Sequence, residues 1–201
     1  MDKASYIREQ SEKTVVSEEP AIEGIRYSLK SVVVDTLGLP GDSPILDVGC
    51  RQGASIEVLR EMGYTNVRGI DINPKNTALA LRKGLNVRTA DIHDIFALRD
   101  CDFFMPFSYS LIWARHVLEH TLNPIQALLG IKYLLKVGGH VHIIVPSTSR
   151  LEKYHHQIYH KPQTLESHVK SAGLKIIYLK HVPRAKGVNY QDEYWCLACK
   201  N

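Results

Sequence analysis

The segment Ile45-Leu46-Asp47-Val48-Gly49-Cys50-Arg51-Gln52-Gly53 constrains the fold more than any other part of the chain. The apolar run that follows the breaker Pro44 reads as a parallel strand buried on both faces. Gly49 and Gly53 let the backbone turn sharply and come close to a ligand, and residues 54–64 read as a helix. A strand that feeds a glycine loop at a helix N-terminus aims backbone N–H groups at whatever sits above the sheet. A nucleotide-type cofactor is expected there.

The rest of the chain repeats this alternation. Helical pattern fills residues 1–38 and breaks at Leu39-Pro40-Gly41-Asp42. Further strands are predicted at 66–71, 86–90, 109–114, 140–145, 175–181 and 193–199. Asn73-Pro74 caps and starts a helix that reaches Leu81 and closes at Gly84. Another helix runs from Pro124 to Leu135 and ends at Gly138-Gly139, and residues 164–172 form a helix closed by Gly173. Strands alternating with helices require right-handed crossovers. The expected fold is therefore α/β: a Rossmann-like, doubly wound, mostly parallel seven-stranded sheet. Its last strand should be antiparallel, because no helix separates the final two. Residues 21–201 are expected as one domain. Residues 1–20 are too few and too polar to bury a core, so they read as a lid or a tail; Tyr6, Ile7, Val15 and Val16 are spaced to cover an apolar rim.

Composition limits the function class. The chain has 201 residues, 44% of them apolar, enough for one sizeable core. Its net charge of +4 is scattered, with no Lys/Arg run of the kind a nucleic-acid face needs. No apolar stretch approaches the roughly 18 residues of a membrane span, and the polar start is no signal peptide. A soluble, cytoplasmic protein is expected. The four cysteines make no disulfide framework. Cys196 and Cys199, three apart on a predicted strand, point to opposite faces and suit neither zinc nor redox chemistry. His155, His156 and His160, with Glu152 and His168 nearby, supply no closed zinc set, so no metal is expected. The insertion between Pro146 and Pro162 is read as substrate rim, with Tyr154, Tyr159 and the histidines as polar contacts.

Acidic residues end three consecutive predicted strands: Asp47, Asp71 and Asp91. In an open α/β sheet those strand ends form the ligand crevice. Asp71 lies 18 residues beyond Gly53, near the spacing at which a carboxylate accepts both ribose hydroxyls. A dinucleotide would need a glycine where Arg51 stands, and carboxylates repel phosphate. The set fits a cationic adenosine, made of ribose, adenine and a sulfonium.

With these residues the chain resembles the class I S-adenosylmethionine-dependent methyltransferases, over roughly residues 22 to 200. It looks most like the small-molecule branch with a His-x-Leu-Glu-His sequence after the fourth strand; here that stretch reads His116-Val117-Leu118-Glu119-His120-Thr121-Leu122-Asn123-Pro124. Leu134-Leu135-Lys136-Val137-Gly138-Gly139-His140-Val141 is similar to the family's turn into its fifth strand. The resemblance implies S-adenosyl-L-methionine as cofactor. It assigns Asp47, Gly49, Arg51 and Gly53 to the methionine part and Asp71 with Ile72 to the ribose. Asp91 and Ile92 would take the adenine, and Ala114, Arg115 and His116 would line the methyl end. Arg51 departs from the family's usual glycine; it either pairs with the methionine carboxylate as a fork or narrows the pocket.

Methyl transfer needs a nucleophile aligned with an activated carbon and kept from water. His116 is the candidate for acceptor-side contact and for a base, and it would share a face with His120 if that segment were helical. The alternative is a histidine that only caps the strand–helix junction. No Asn/Asp-Pro-Pro-aromatic or Pro-Cys sequence follows the fourth strand. A small-molecule O or N acceptor is therefore expected, with no nucleic-acid or membrane partner; the oligomeric state is open. Two other readings remain at this stage, a catalytically silent partner or scaffold protein with the same fold and a nucleotide-dependent oxidoreductase.

Overall fold

Pro44 is followed by the expected strand. In a computed structural model Ile45–Val48 (β1) is buried at every position, as a strand covered on both faces must be. The structure describes residues 2, 5–6, 8–9, 22–98, 103–147, 157, 159–183 and 192–201. They fall in two compact units, residues 1–91 and 92–201.

In the first unit, Ile22–Leu29 (α1) bears out part of the expected N-terminal helical stretch; residues 10–21 lie outside the described residues. Over Lys30–Thr36 the helix widens into a π-helical segment. This segment holds the run Val32-Val33-Val34, whose β-branched side chains crowd an α-helix. Ala54–Glu61 (α2) follows β1, then Val67–Asp71 (β2), Pro74–Arg82 (α3) and Val87–Thr89 (β3). β1 pairs with β2 and β2 with β3, both in parallel. Asn73 starts α3 as expected, accepting a hydrogen bond from the Lys75 N–H at 2.9 Å with Pro74 in the first turn.

The second unit opens with a 3₁₀ turn at Ile92–Ala97, followed by Tyr109–Arg115 (β4) and a second short 3₁₀ turn, Leu118–His120. Pro124–Leu134 (α4), Leu135–Pro146 (β5), Pro162–Ser171 (α5), Lys175–Val182 (β6) and Glu193–Cys199 (β7) complete it. Asn123-Pro124 repeats the Asn-Pro device, with Asn123 accepting from the Gln126 N–H at 3.0 Å. β4 and β5 are parallel, while β7 is antiparallel to both β5 and β6 and lies between them. The strand order is β3-β2-β1 in the first unit and β4-β5-β7-β6 in the second, seven strands that are mostly parallel with one antiparallel last strand, as expected.

The largest boundary shift is at β5. Gly138-Gly139 was expected to stop a helix before a strand beginning at His140, yet β5 starts at Leu135, directly after α4. The glycines lie inside the strand, where the register slips from Tyr109↔Leu135 to Leu111↔His140. A Cβ on Gly139 would sit 2.8 Å from the Tyr109 carbonyl oxygen, so the close approach demands glycine. Lys200 then does what the glycines were expected to do. Its ammonium donates to the Lys132 and Leu135 carbonyls at 2.8 and 2.7 Å, closing the C-terminus of α4.

Cys196 is buried, and burial pushes its thiol up to about 12, whereas Cys199 is half-buried. The pair on opposite faces is as the strand reading required. Cys101 lies outside the described residues. Among the described residues no helix is long and apolar enough to cross a membrane.

His142 sits in the middle of β5, fully buried, with its ring 5.0 Å from Trp113 and 5.7 Å from Trp195. Neither ring nitrogen has a hydrogen-bond partner among the described residues. Burial, helped by Lys180, lowers its pKa to about 3. The folded ring stays neutral while the unfolded one protonates below its ordinary value near 6.5, so the unfolded state binds more protons between the two. Stability should therefore fall as pH drops from about 6.5 towards 3, by up to about 1.4 kcal/mol per pH unit from this residue. Urea unfolding across that range should show a shallower acid loss in His142→Phe than in wild type; parallel curves would contradict the assignment.

Candidate functional site: a strand-end carboxylate cradle and a second carboxylate cluster

In the first unit the sequence brings Asp47, Asp71 and Asp91 to one edge of the parallel strands. Asp47 is the third residue of β1, Asp71 ends β2, and Asp91 follows β3 by two residues. All three are buried. The loop after β1 is tied to β2: the Gly49 and Cys50 N–H groups donate to the Ile70 carbonyl at 2.8 and 3.0 Å, and the Gly53 N–H to the Cys50 carbonyl at 2.8 Å. Gly49, Arg51 and Gly53 all take positive φ, at 75°, 48° and 89°. At Gly53 a Cβ would lie 2.1 Å from the Leu85 Cδ1, so any other residue would need both a strained left-handed conformation and a shift of the Leu85 side chain.

Asp71 links loop and sheet. Its Oδ2 accepts from the Arg51 N–H at 2.9 Å; its Oδ1 accepts from the Asn73 N–H at 2.8 Å and the Asn76 amide at 3.4 Å. Burial raises its pKa, and these bonds oppose that shift. With one bond at Oδ2, a carboxylate retains accepting capacity for a hydroxyl. Arg51 is exposed, so its left-handed backbone serves a bond made by its N–H.

Tyr6 joins this unit. Asp2 caps the turn that carries it, accepting from the Ser5 N–H at 2.8 Å. Tyr6 is buried, and its phenol is pushed well above its ordinary range by burial, then by the charges of Asp91, Glu9 and Asp71. The Tyr6-to-Val16 stretch read as a lid therefore has a described start near the carboxylates, while Ile7 and residues 10–16 lie outside the described residues.

In the second unit Ile92 is buried, Ala114 is fully buried in β4, and Arg115 and His116 turn towards Glu193. The Glu193 Oε1 accepts from the Arg115 Nη2 at 3.1 Å and lies 2.8 Å from the His116 Nε2, and its Oε2 accepts from the Trp195 indole at 2.8 Å. Burial alone would raise Glu193, but the His116 bond and charge and the Arg115 guanidinium bring its pKa down to about 2. His116 has φ 54°, and its N–H donates to the Ile144 carbonyl at 2.8 Å. This left-handed residue ends regular structure, and only a 3₁₀ turn follows, so His116 and His120 do not share a helical face as the spacing had suggested. Ile72 is half-buried between Asp71 and Asn73.

Tyr159 also departs from expectation. It is buried, with its hydroxyl 3.2 Å from the His168 Nδ1, and so is no rim contact; Glu152, Tyr154, His155 and His156 lie outside the described residues. Sequence reading missed Glu193, which is 77 residues from its histidine. The available signal was an acidic residue opening the otherwise buried strand Glu193-Tyr194-Trp195-Cys196-Leu197-Ala198-Cys199.

A loop with three positive-φ residues, backbone donors and buried carboxylates suits a ligand that carries hydroxyl and amino donors and positive charge. Asp71→Ala should remove acceptors from the Arg51 and Asn73 amides and destabilise the chain by about 1–3 kcal/mol. Amide exchange at Arg51 and Asn73 should accelerate selectively. Unchanged exchange there would show that the carboxylate does not hold the loop.

Comparison with known proteins agrees with this geometry. A family profile described as a methyltransferase domain matches residues 22–179. A ubiquinone biosynthesis O-methyltransferase of Ralstonia nicotianae is 30% identical over 97 residues, covering 48% of this chain and 40% of that protein. The chain thus matches about two-fifths of the length of the curated relatives. Among solved structures, the cyclase SpnF shares the fold with TM-score 0.71 at 15% identity, covering 94% of this chain and 84% of that one. The 1,6-didemethyltoxoflavin-N1-methyltransferase of Burkholderia thailandensis, solved with its substrate and S-adenosylhomocysteine, gives 0.67 at 18% identity, covering 90% and 78%. The chain belongs to the methyltransferase-domain family of the class I, S-adenosylmethionine-dependent fold.

Proposed function

We propose that the chain is an S-adenosyl-L-methionine-dependent methyltransferase acting on an oxygen or nitrogen of a small molecule. The observation that carries this reading is the Asp71 carboxylate, which pins the Gly49–Gly53 loop while keeping capacity for a ribose hydroxyl. Asp47 and the loop N–H groups would hold the methionine part, Asp71 with Ile72 the ribose, and Asp91 with the Ile92 backbone the adenine. Ala114 and Arg115 would line the methyl end. When bound, the cofactor would supply a methyl group activated by a sulfonium for in-line transfer to the acceptor's lone pair. The chain's own part would be to align the acceptor, exclude water and take a proton, and His116 is the residue proposed to take it.

The O-methyltransferase relative favours an oxygen among the possible acceptors. The buried Tyr6, held within electrostatic reach of Asp71 and Asp91, supports a lid role for the N-terminal segment, which would shield the sulfonium from water.

Arg51 separates two outcomes. If its guanidinium grips the methionine carboxylate, Arg51→Gly should weaken S-adenosylmethionine binding by about 1.5–3 kcal/mol, the range for a bond to a charged group, while relieving a left-handed residue in the free protein. Calorimetry decides, and tighter binding in the variant would mean that the arginine obstructs the pocket. For the reaction itself, S-adenosylhomocysteine formation should appear when catechol or aniline is added with the cofactor. Binding without any such product would favour a silent partner protein.

A further inference from the structure

The chemistry of β7 reaches the candidate base. Glu193 opens that strand, which is flanked on both sides: Glu193 is paired with Pro146 of β5 and Val182 of β6. A residue so placed in a sheet interior has little freedom, and its side chain is almost wholly buried. Both carboxylate oxygens are engaged, Oε1 with Arg115 and His116 and Oε2 with the Trp195 indole, which stands two residues along the same strand. The Arg115 guanidinium sets a permanent positive charge beside the buried carboxylate, in addition to the His116 contact. His116 is held from its backbone as well, by the Ile144 carbonyl and a left-handed φ of 54°. A residue other than glycine in that region costs energy, and such strain persists where surrounding bonds enforce it.

We propose that Glu193 is the positioning residue of His116, holding the ring in the tautomer whose Nε2 carries the hydrogen and whose Nδ1 carries the lone pair. This rests on the reading of His116 as the group that takes the acceptor's proton. An ionised carboxylate only accepts, so at 2.8 Å the neutral imidazole must present Nε2–H to it. The proton leaving the acceptor's O–H or N–H would pass to Nδ1. The imidazolium so formed is stabilised by the carboxylate against its other nitrogen, and the proton is later lost to solvent. Glu193 touches neither acceptor nor cofactor in this scheme; it acts through the ring. Burial would by itself favour the neutral carboxylic acid, but the His116, Arg115 and Trp195 donors hold Glu193 below the usual carboxylate range.

The test uses the full chain labelled with nitrogen-15 at histidine, together with Glu193→Gln and Glu193→Asp. Imidazole nitrogen shifts of the wild type should show His116 as the Nε2–H tautomer, and in Glu193→Gln that preference should vanish and the ring's titration midpoint should fall. Glu193→Asp, which keeps the charge, should restore part of both. With catechol as probe acceptor, Glu193→Gln should lower kcat at least tenfold and move the rising limb of the pH profile, with KM for S-adenosylmethionine unchanged. A wild-type ring in the Nδ1–H tautomer overturns the proposal without any variant, which covers the case in which Glu193→Gln fails to fold. A tautomer that changes while kcat and the pH profile stay the same also overturns it. If His116→Gln retains full kcat although the wild-type tautomer is as expected, the failure lies with the histidine's role as base and not with its positioning.

Discussion

The Asp71 carboxylate is the interaction on which the first unit's cradle depends. It stands at the end of β2, where Asp71 pairs with Thr89 of β3, and reaches back to the Arg51 N–H across a loop that takes positive φ three times. Each of those turns is conformationally expensive or confined to glycine, so the loop needs an anchor outside itself. A buried carboxylate that accepts backbone N–H groups is such an anchor, because it exchanges desolvation cost for charge-assisted bonds. In the function proposed above the same group also accepts from a ligand hydroxyl, so stability of the loop and recognition of the ligand would draw on one side chain.

The second unit solves a similar problem with different residues. Glu193 is buried and charged, and Arg115, His116 and Trp195 together satisfy it. His142, two strands' width of aromatic rings around it, is instead left neutral and without a hydrogen-bond partner among the described residues. One buried ionisable group is thus compensated and the other is silenced by burial, which separates a residue suited to chemistry from one that only packs. The fold by itself does not make that distinction, since the cyclase SpnF shares it.

Local signals carried most of the architecture. Pro44 before an apolar run, Asn-Pro at two helix starts, and the absence of a helix between the last two strands each act within a few residues, and each has the predicted result. The same holds for Asp47, Asp71 and Asp91, whose positions follow from where strands end. What the sequence concealed is long-range. Lys200 closes α4 from the far end of the chain, so Gly138-Gly139 could serve a bulge in place of a helix stop. Glu193 meets His116 only because β7 inserts antiparallel beside β5. The left-handed backbone of His116 arises from that same neighbourhood, and spacing alone suggested a helical face it does not have.

Hydrogen exchange of the full chain with and without S-adenosylmethionine tests the central claim, that the loop and three carboxylates of the first unit form the cofactor cradle. The cofactor should slow exchange at residues 49–53, at 71–73 and around Asp91, and also in the turn that carries Tyr6. Saturating cofactor that leaves residues 49–53 and 71–73 unprotected would contradict the account.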